Sequence, residues 1–207
     1  MILALLIVLS YLLGSASGSL LLGRLRGVDI RTQGSGNAGG TNALRTQGFM
    51  FALGVVLIDV GKGVLAAYMA HRLLPDSPQV ALLAVFAAVL GHIWPVLHGF
   101  RGGKGAATLV GGLLLVWPQA LLVVLGVWLL CLLLSGYVGL STVLAANSLL
   151  ASAYFFEASI SQWLFAIAAA LLLTFSHRSN LRRLRQGNES RFEKARILGR
   201  LLFGRRG

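Results

Sequence analysis

Residues 105–177 read GAATLVGGLLLVWPQALLVVLGVWLLCLLLSGYVGLSTVLAANSLLASAYFFEASISQWLFAIAAALLLTFSH and contain no lysine or arginine. A helix that crosses a membrane needs about 20 predominantly apolar residues. Interruptions at Trp117-Pro118, Ser135-Gly136-Tyr137 and Glu157 divide this stretch into four short apolar segments. The stretch therefore predicts an all-α, polytopic membrane protein that crosses the bilayer two or four times between these residues.

The composition of the whole chain supports this class. Of its 207 residues, 57% are hydrophobic and only 12% are charged, whereas a soluble domain carries about 25% charged residues. An ordinary soluble domain and a disordered chain are therefore excluded. The formal net charge of +12 comes from a few clusters of basic residues. Positive-inside topology and anionic lipid headgroups explain these clusters better than nucleic acid does.

Three further apolar segments precede this stretch, at about 2–22, 49–72 and 80–97. The first is followed by Arg24 and Arg26 and has no basic residue before it, which is the wrong polarity for a cleaved signal peptide. We therefore predict that residues 2–22 form the first membrane span and that the N-terminus lies outside.

The basic residues predict the sidedness of the other segments. They cluster in the loops at 24–48 and 98–105 and in the tail at 178–207, and the positive-inside rule places all three in the cytoplasm. With the N-terminus outside and the tail inside, the number of crossings is odd. We predict seven transmembrane helices, with five as the fallback. Seven crossings place a further polar loop, at about 135–142, on the cytoplasmic side.

The polar stretch GSGNAGGTNALR, 34–45, predicts an anion-binding loop. Successive backbone amides in glycine-rich turns form nests for anions, and the planar guanidinium of Arg45 suits phosphate. The stretch also fits GxGxxG, but no strand precedes the glycines, so we reject a dinucleotide site. The alternative is a flexible glycine-rich loop without a ligand.

Asp59 and Lys62 are charged residues inside an otherwise apolar span. Charges at such positions are costly unless they are paired or hydrated, which makes them candidates for function. At a spacing of three residues they share one helical face. The alternative is an ion pair that only orients the helix.

A third polar stretch, GHIWPVLHGFRGGKGAAT, covers 91–108. Its Gly-Gly-Lys-Gly run lets the backbone approach a ligand closely and places a cation there. The run resembles a P-loop, but His98 stands where the first glycine is required and Gly105 replaces the serine or threonine. We therefore predict phosphate binding without a nucleotide-type Mg²⁺ site. The alternatives are a basic turn at the membrane surface and, for His92, a hydrogen-bonded core histidine.

The last polar patch combines Ser141 and Thr142 with His177, Arg178 and Asn180 at the end of the final span. The alternative for the two hydroxyls is a hydrogen bond back to their own helix backbone. For Arg178 the alternative is a side chain that reaches out to lipid headgroups.

Together these stretches resemble the bacterial acyl-phosphate:glycerol-3-phosphate acyltransferase (PlsY) family. The resemblance rests on GSGNAGGTNALRTQG, on DVGKG within a span, on GHIWP followed by FRGGKGAAT, and on HRSNLRRL, in this order. The chain departs from the family at Gly40, where alanine is more frequent, and at Gly136 and Gly139, where arginine and serine are frequent. The last two departures put in doubt a role for a cation at position 136.

The resemblance implies a seven-helix enzyme of the bacterial inner membrane whose active site faces the cytoplasm. It implies a single transmembrane catalytic domain over 1–177, followed by a basic cytoplasmic tail over 178–207. The enzyme would transfer an acyl group from acyl phosphate to glycerol 3-phosphate, the first acyl transfer of phospholipid synthesis. The products would be 1-acylglycerol 3-phosphate (lysophosphatidic acid) and inorganic phosphate. No cofactor and no metal are expected.

The site residues are predicted from this resemblance together with the polar stretches. Both substrates carry phosphate, and much of the catalysis of an activated anhydride can come from positioning and charge stabilisation. The proton acceptor is a substrate phosphate oxygen or, alternatively, His92 or His177. The predicted catalytic residues are Ser35, Asn37, Arg45, His92, Lys104 and His177. The predicted substrate-binding residues are Gly36, Gly39, Thr41, Asn42, Asp59, Lys62, Gly102, Gly103, Gly105, Ser141, Thr142 and Asn180.

A small transporter of an organic phosphate is the rival function. It would also need buried cations and broken helices, but transporters commonly show paired repeats with a site at the midplane of the membrane. We find no internal repeat, and the polar stretches gather on one predicted face. The basic tail fits two partners equally well: anionic lipid, and the enzyme that makes acyl phosphate.

Overall fold

The computed structural model describes residues 1–203, and every regular element in that range is helical. The last four residues of the predicted tail lie outside the described range. The chain forms two compact units, Met1–Pro118 and a second that begins at Gln119. Each unit is described separately.

The first unit contains six α-helices. They are α1 (Ile2–Ser15), α2 (Gly18–Leu25), α3 (Gly40–Gln47), α4 (Phe49–Leu73), α5 (Pro78–Ile93) and α6 (Ala106–Val116), with short 3₁₀ turns at Ile30–Thr32 and Val96–His98. The predicted second and third spans correspond closely to α4 and α5. The first predicted span is not continuous, because α1 and α2 meet at an angle of 47° with Ala16 and Ser17 between them.

Small residues allow the helices of the first unit to approach closely. A Cβ atom built at Gly14 of α1 would collide with the carbonyl of Ala88 in α5, and one at Gly63 of α4 would collide with the carbonyl of Thr108 in α6. This packing of backbone against backbone is typical of membrane helices. Replacing either glycine would therefore force two helices apart.

The second unit contains α7 (Pro118–Ser135), α8 (Val138–Phe155), α9 (Ile160–Ser176), α10 (Arg178–Arg185) and α11 (Ile197–Phe203), with a 3₁₀ turn at Glu193–Ala195. The breaks between α6 and α9 fall at the interruptions that the sequence predicts. Ser159 caps α9 in a capping box with Gln162, which satisfies amides that the first turn of a helix leaves open. The basic tail continues as α10, which leaves α9 at 55°.

The apolar helices are those of a multi-pass membrane protein. Among residues 1–203, four helical stretches are long and apolar enough to cross a membrane, namely α4, Pro78–His98, α7 and α8. Counting each bent pair, α1–α2 and α9–α10, as one span raises the number to six. The apolar helix α6 is shorter, with 11 residues. The count of seven and the orientation of the termini stay predictions.

Candidate active site

A buried ion pair on α4 occupies the break between α1 and α2. A continuous helix would join the amide of Gly18 to the carbonyl of Gly14. Instead, Gly18 donates to Asp59 Oδ1 at 3.1 Å, and Lys62 Nζ donates to the Gly14 carbonyl at 2.8 Å. The carboxylate and the ammonium lie 3.0 Å apart. The ion pair therefore replaces the backbone hydrogen bond that is missing between Gly18 and Gly14.

The signs of these charges suit the two helix ends. Asp59 lies at the N-terminus of α2 and Lys62 at the C-terminus of α1, where the helix dipoles favour a negative and a positive charge respectively. Lys62 Nζ also lies 3.3 Å from the carbonyl of Ala16. The exposed fractions of Asp59 and Lys62 are only 1% and 4%. The predicted ion pair is therefore present and satisfies the backbone at the break, while contact of either residue with substrate stays a prediction.

His92, near the end of α5, completes this arrangement. Its Nδ1 lies 2.7 Å from Lys62 Nζ and 3.4 Å from Asp59 Oδ1, and only 3% of the residue is exposed. We call Asp59, Lys62 and His92 the charge cluster. The other ring nitrogen, Nε2, faces Gly103, where an added Cβ would collide with it and lie 2.8 Å from the Ala38 carbonyl oxygen. The charge cluster therefore reaches two polar loops.

The first loop, residues 29–39, is organised by the buried side chain of Asn42. Its Oδ1 accepts from the amide of Ser35 at 2.9 Å, and its Nδ2 donates to the carbonyls of Ile30 and Gln33 at 3.2 and 3.0 Å. Gly34 has a φ of +55° and is so close to Asn42 that a Cβ would collide with Oδ1. Asn42 therefore shapes the loop, and its predicted contact with substrate stays a prediction.

The other predicted residues of this region surround the same loop. Ser35, Gly36, Thr41 and Arg45 are exposed, whereas Asn37 and Gly39 are partly buried. Exposed short polar side chains beside an arginine can bind an anion.

The second loop, residues 98–105, folds back on the end of α5. The amides of Gly102 and Gly103 donate to the carbonyls of Ile93 and His92 at 3.2 and 3.0 Å. These carbonyls belong to the last turn of α5, whose own helix offers them no donor. Pro95 thus follows the end of α5 and does not bend a continuing helix. Gly105, with a φ of +89°, precedes α6, and Lys104 beside it is partly buried.

Arg31, which sequence reasoning did not select, joins the two loops. Its guanidinium pairs with Asp29 at 2.8 Å and donates through Nη1 to the carbonyls of His98 at 3.0 Å and Arg101 at 3.4 Å. The hydrogen bond from Arg31 is the largest cause that lowers the pKa of the Asp29 carboxyl below its ordinary value of 3.8. The only sequence signal is an acid two residues before an arginine, which is too common to select a site.

The second unit holds the fourth predicted patch. The hydroxyls of Ser141 and Thr142 donate to the carbonyls four residues before them, at 2.9 and 2.8 Å. These are the backbone hydrogen bonds that the sequence offered as the alternative. His177 Nδ1 lies 2.8 Å from the carbonyl of Leu173. Asn180 donates to Glu189 at 2.5 Å, and a Cβ at Gly139 would lie 2.7 Å from Asn180 Cβ. The start of α8 therefore lies beside Asn180.

Two residues of the basic tail also contribute here without having been predicted. The side chain of Glu189 is nearly buried and accepts from Arg183 at 2.6 Å as well as from Asn180. Arg191 lies beside Gly136, where an added Cβ would be 3.0 Å from Arg191 Cγ, and its Nε donates to the Ser135 carbonyl at 2.9 Å. A cation is therefore present next to position 136, although it comes from the tail.

Comparison with known proteins gives a consistent result. The family model described as glycerol-3-phosphate acyltransferase matches residues 4–187. Curated proteins named glycerol-3-phosphate acyltransferase include one from Symbiobacterium thermophilum, 41% identical over 89% of this chain and 92% of that protein. Another, from Chlorobaculum parvum, is 37% identical over 97% of each chain.

Two solved structures share the fold. Both are of PlsY, described as an integral membrane glycerol 3-phosphate acyltransferase, one in a glycerol 3-phosphate form and one in a lysophosphatidic acid form. Their TM-scores are 0.89 and 0.87, each at 34% identity over 96% of this chain and 99% of that one.

Proposed function

The chain belongs to the glycerol-3-phosphate acyltransferase family, and we propose that its acyl donor is an acyl phosphate. It is an acyltransferase of the PlsY type, a multi-pass membrane protein whose activity belongs to phospholipid biosynthesis. The proposed products are 1-acylglycerol 3-phosphate and inorganic phosphate. This assignment of donor and products agrees with the sequence resemblance.

The observation that carries the proposal is the joining of two glycine-rich loops by Arg31. The first loop places short polar side chains near the exposed Arg45, and the second carries Lys104. An acyltransferase that uses acyl phosphate must hold two phosphates at once, one on the donor and one on the acceptor. Two anion-binding loops fixed to each other suit that requirement, because most of the rate enhancement can come from holding the reactants in the correct geometry.

The proposed step needs no covalent enzyme intermediate. The acceptor hydroxyl oxygen attacks the acyl carbonyl carbon, and the bond from that carbon to the phosphate oxygen breaks. The electron pair leaves with the phosphate, which also takes the hydroxyl proton. Lys104 and Arg45 stabilise the negative charge that develops on the phosphate. Ser35, Gly36, Asn37, Thr41 and Asn42 are proposed to cradle one phosphate and to orient the acyl carbonyl.

Four residues of the second unit are proposed to take part in substrate binding. Ser141, Thr142, His177 and Asn180 are proposed to bind the acceptor. The tail from residue 178 is basic and is proposed to contact anionic lipid or the enzyme that makes acyl phosphate.

The topology belongs to the same proposal. We propose seven spans, made of the six apolar stretches and the shorter α6, with one catalytic domain over 1–177. The basic residues of the loop at 24–48, of the second loop and of the tail favour a cytoplasmic active site in the bacterial inner membrane, with the N-terminus outside.

The test is turnover by the purified protein in lipid nanodiscs. We expect phosphate release from palmitoyl phosphate that requires glycerol 3-phosphate and yields lysophosphatidate. Lys104→Ala should lose about 100-fold in kcat, the typical cost of removing one donor to developing charge. Arg185→Ala, at an exposed tail residue, is the matched control and should behave like wild type. Lack of acceptor-dependent release from folded wild-type protein would overturn the proposed donor, and transfer from palmitoyl-CoA in the same preparation would replace it.

A further inference from the structure

His92 combines burial with a ring nitrogen for which residues 1–203 provide no hydrogen-bond partner. Only 3% of the residue is exposed, and both close polar contacts of the ring, with Lys62 and Asp59, involve Nδ1. Within residues 1–203, no hydrogen-bond acceptor or donor is found for Nε2. This nitrogen faces Gly103 of the second loop, next to the Ala38 carbonyl of the first.

The contacts of Lys62 determine which ring nitrogen carries the proton. An ammonium group has three protons and no lone pair. Lys62 Nζ lies 2.8, 3.0 and 2.7 Å from the Gly14 carbonyl, Asp59 Oδ1 and His92 Nδ1, and 3.3 Å from a fourth atom, the Ala16 carbonyl oxygen. Because His92 Nδ1 is the nearest of these four atoms and an ammonium cannot accept a hydrogen bond, Nδ1 accepts from Lys62, and the proton of a neutral imidazole then lies on Nε2. The reverse arrangement would need an uncharged Lys62 beside the Asp59 carboxylate.

We propose that the Nε2–H of His92 donates a hydrogen bond to a substrate phosphate oxygen held at the second loop. The nitrogen is placed where Gly103 lacks a side chain, and Lys104 of the same loop supplies the positive charge that favours a phosphate there. His92 then acts as a neutral donor, and the acceptor of the hydroxyl proton is a different group. In this proposal Asp59 and Lys62 act as positioning residues, because their contacts fix the tautomer and the orientation of the ring. This inference rests on the proposed function of the second loop.

The first test is nitrogen NMR of protein labelled at its four histidines, with the His92 signals identified by comparison with His92→Gln. In the wild-type protein without substrate, we expect His92 to be protonated at Nε2 and unprotonated at Nδ1. Addition of glycerol 3-phosphate, or separately of inorganic phosphate, should shift the Nε2 resonance. A shift with glycerol 3-phosphate alone would assign the contact to the acceptor, and a shift with both would assign it to any phosphate. Protonation at Nδ1, or no shift with either anion, would overturn the proposal.

The second test is kinetic. His92→Ala should lower kcat/KM about 10- to 100-fold, the usual effect of losing one hydrogen bond to a charged group. His92→Gln, whose side-chain amide keeps a donor near the Nε2 position, should recover most of that loss. A purely structural histidine would not give this rescue while all variants melt at the same temperature. His71→Gln, on the exposed surface of α4, is the matched control. Wild-type kcat/KM in a folded His92→Ala variant would also overturn the proposal.

The two tests separate this inference from the donor assignment. If palmitoyl phosphate is not a donor, the turnover test of the proposed function fails, but the NMR test needs no turnover and still decides the role of His92. Lys62→Met adds a further measurement, since removal of the ammonium should move the His92 proton towards Nδ1, which then faces Asp59. If Lys62→Met does not fold, the wild-type spectrum decides alone.

Discussion

Replacing Lys62 with methionine tests whether the ion pair at the break of the first span stabilises the fold as a unit. The substitution keeps the length of the side chain but removes the ammonium from Gly14, Ala16 and Asp59. The carboxylate of Asp59, 1% exposed, would then be buried without a cation. Breaking a buried pair in this way costs about 3–5 kcal/mol. Asp59→Asn should cost a similar amount, because it leaves the ammonium unpaired.

The informative quantity is the coupling between the two changes. In the double variant Asp59→Asn/Lys62→Met neither charge remains, so the penalty for an unpaired charge is not incurred. We expect the double variant to be more stable than the sum of the single effects predicts, by about 1–3 kcal/mol. The assay is unfolding by SDS in mixed micelles, followed by circular dichroism.

The ion pair of the partly exposed Arg191 with the exposed Glu193, 3.4 Å apart, provides a matched cycle. Its coupling should be below about 0.5 kcal/mol, because solvent screens such pairs. If the changes in unfolding free energy at residues 59 and 62 add to within about 0.5 kcal/mol, the two charges do not stabilise the fold as a unit.

Three further predictions concern other contacts. Gly103→Ala should lower kcat/KM about 10- to 100-fold with little loss of secondary structure. The added Cβ would lie 2.8 Å from the Ala38 carbonyl oxygen, and a loop shift of about 1 Å can lower the rate about 100-fold. Unchanged kcat/KM would show that the loops can move apart without affecting catalysis. Because the pKa of Asp29 is lowered, its ion pair with Arg31 stabilises the fold fully above pH 3.8, and this stabilisation is lost as the pH falls through the folded-state pKa. The half-exposed pair contributes no more than about 1 kcal/mol. The free energy of SDS unfolding should therefore depend less on acid pH in Arg31→Ala than in the wild-type protein. Ser159→Ala should destabilise α9 by about 1 kcal/mol through loss of its cap, measured by the same unfolding assay, whereas Ser159→Asp should not.

Helix ends that are set by neighbouring residues, such as prolines and glycine-containing turns, could be predicted from the sequence. Proline at 118, the Ser-Gly-Tyr turn before Val138 and the turn at Glu157 act within a few residues, so their positions could be read directly. The pairing of Asp59 with Lys62 was also predictable, because one helical turn brings them together. In contrast, the break after Ser15 depends on charges more than 40 residues further along the chain, and no local pattern reports such a contact.

The candidate site was predictable in its residue types and less so in its geometry. The glycine-rich stretches indicated anion binding, but the burial of Asn42 beneath the first loop follows from three backbone contacts that the spacing does not reveal. Arg31 escaped selection because its partners are backbone carbonyls of a loop 67 and 70 residues away. Carbonyl groups are present at every residue, so their use as partners leaves no signature in the sequence.

The ion pair inserted between Gly14 and Gly18 has a consequence for the biogenesis of the protein. The segment that forms α1 and α2 emerges from the ribosome before α4, which carries both charges. Until α4 arrives, the open amide and carbonyl of the break have no partner in their own helix, and a bilayer supplies none. The first segment must therefore enter the membrane either as an unbroken helix that is opened later or together with the helix that completes it. In either case, the native break between α1 and α2 can form only after residue 62 has been synthesised.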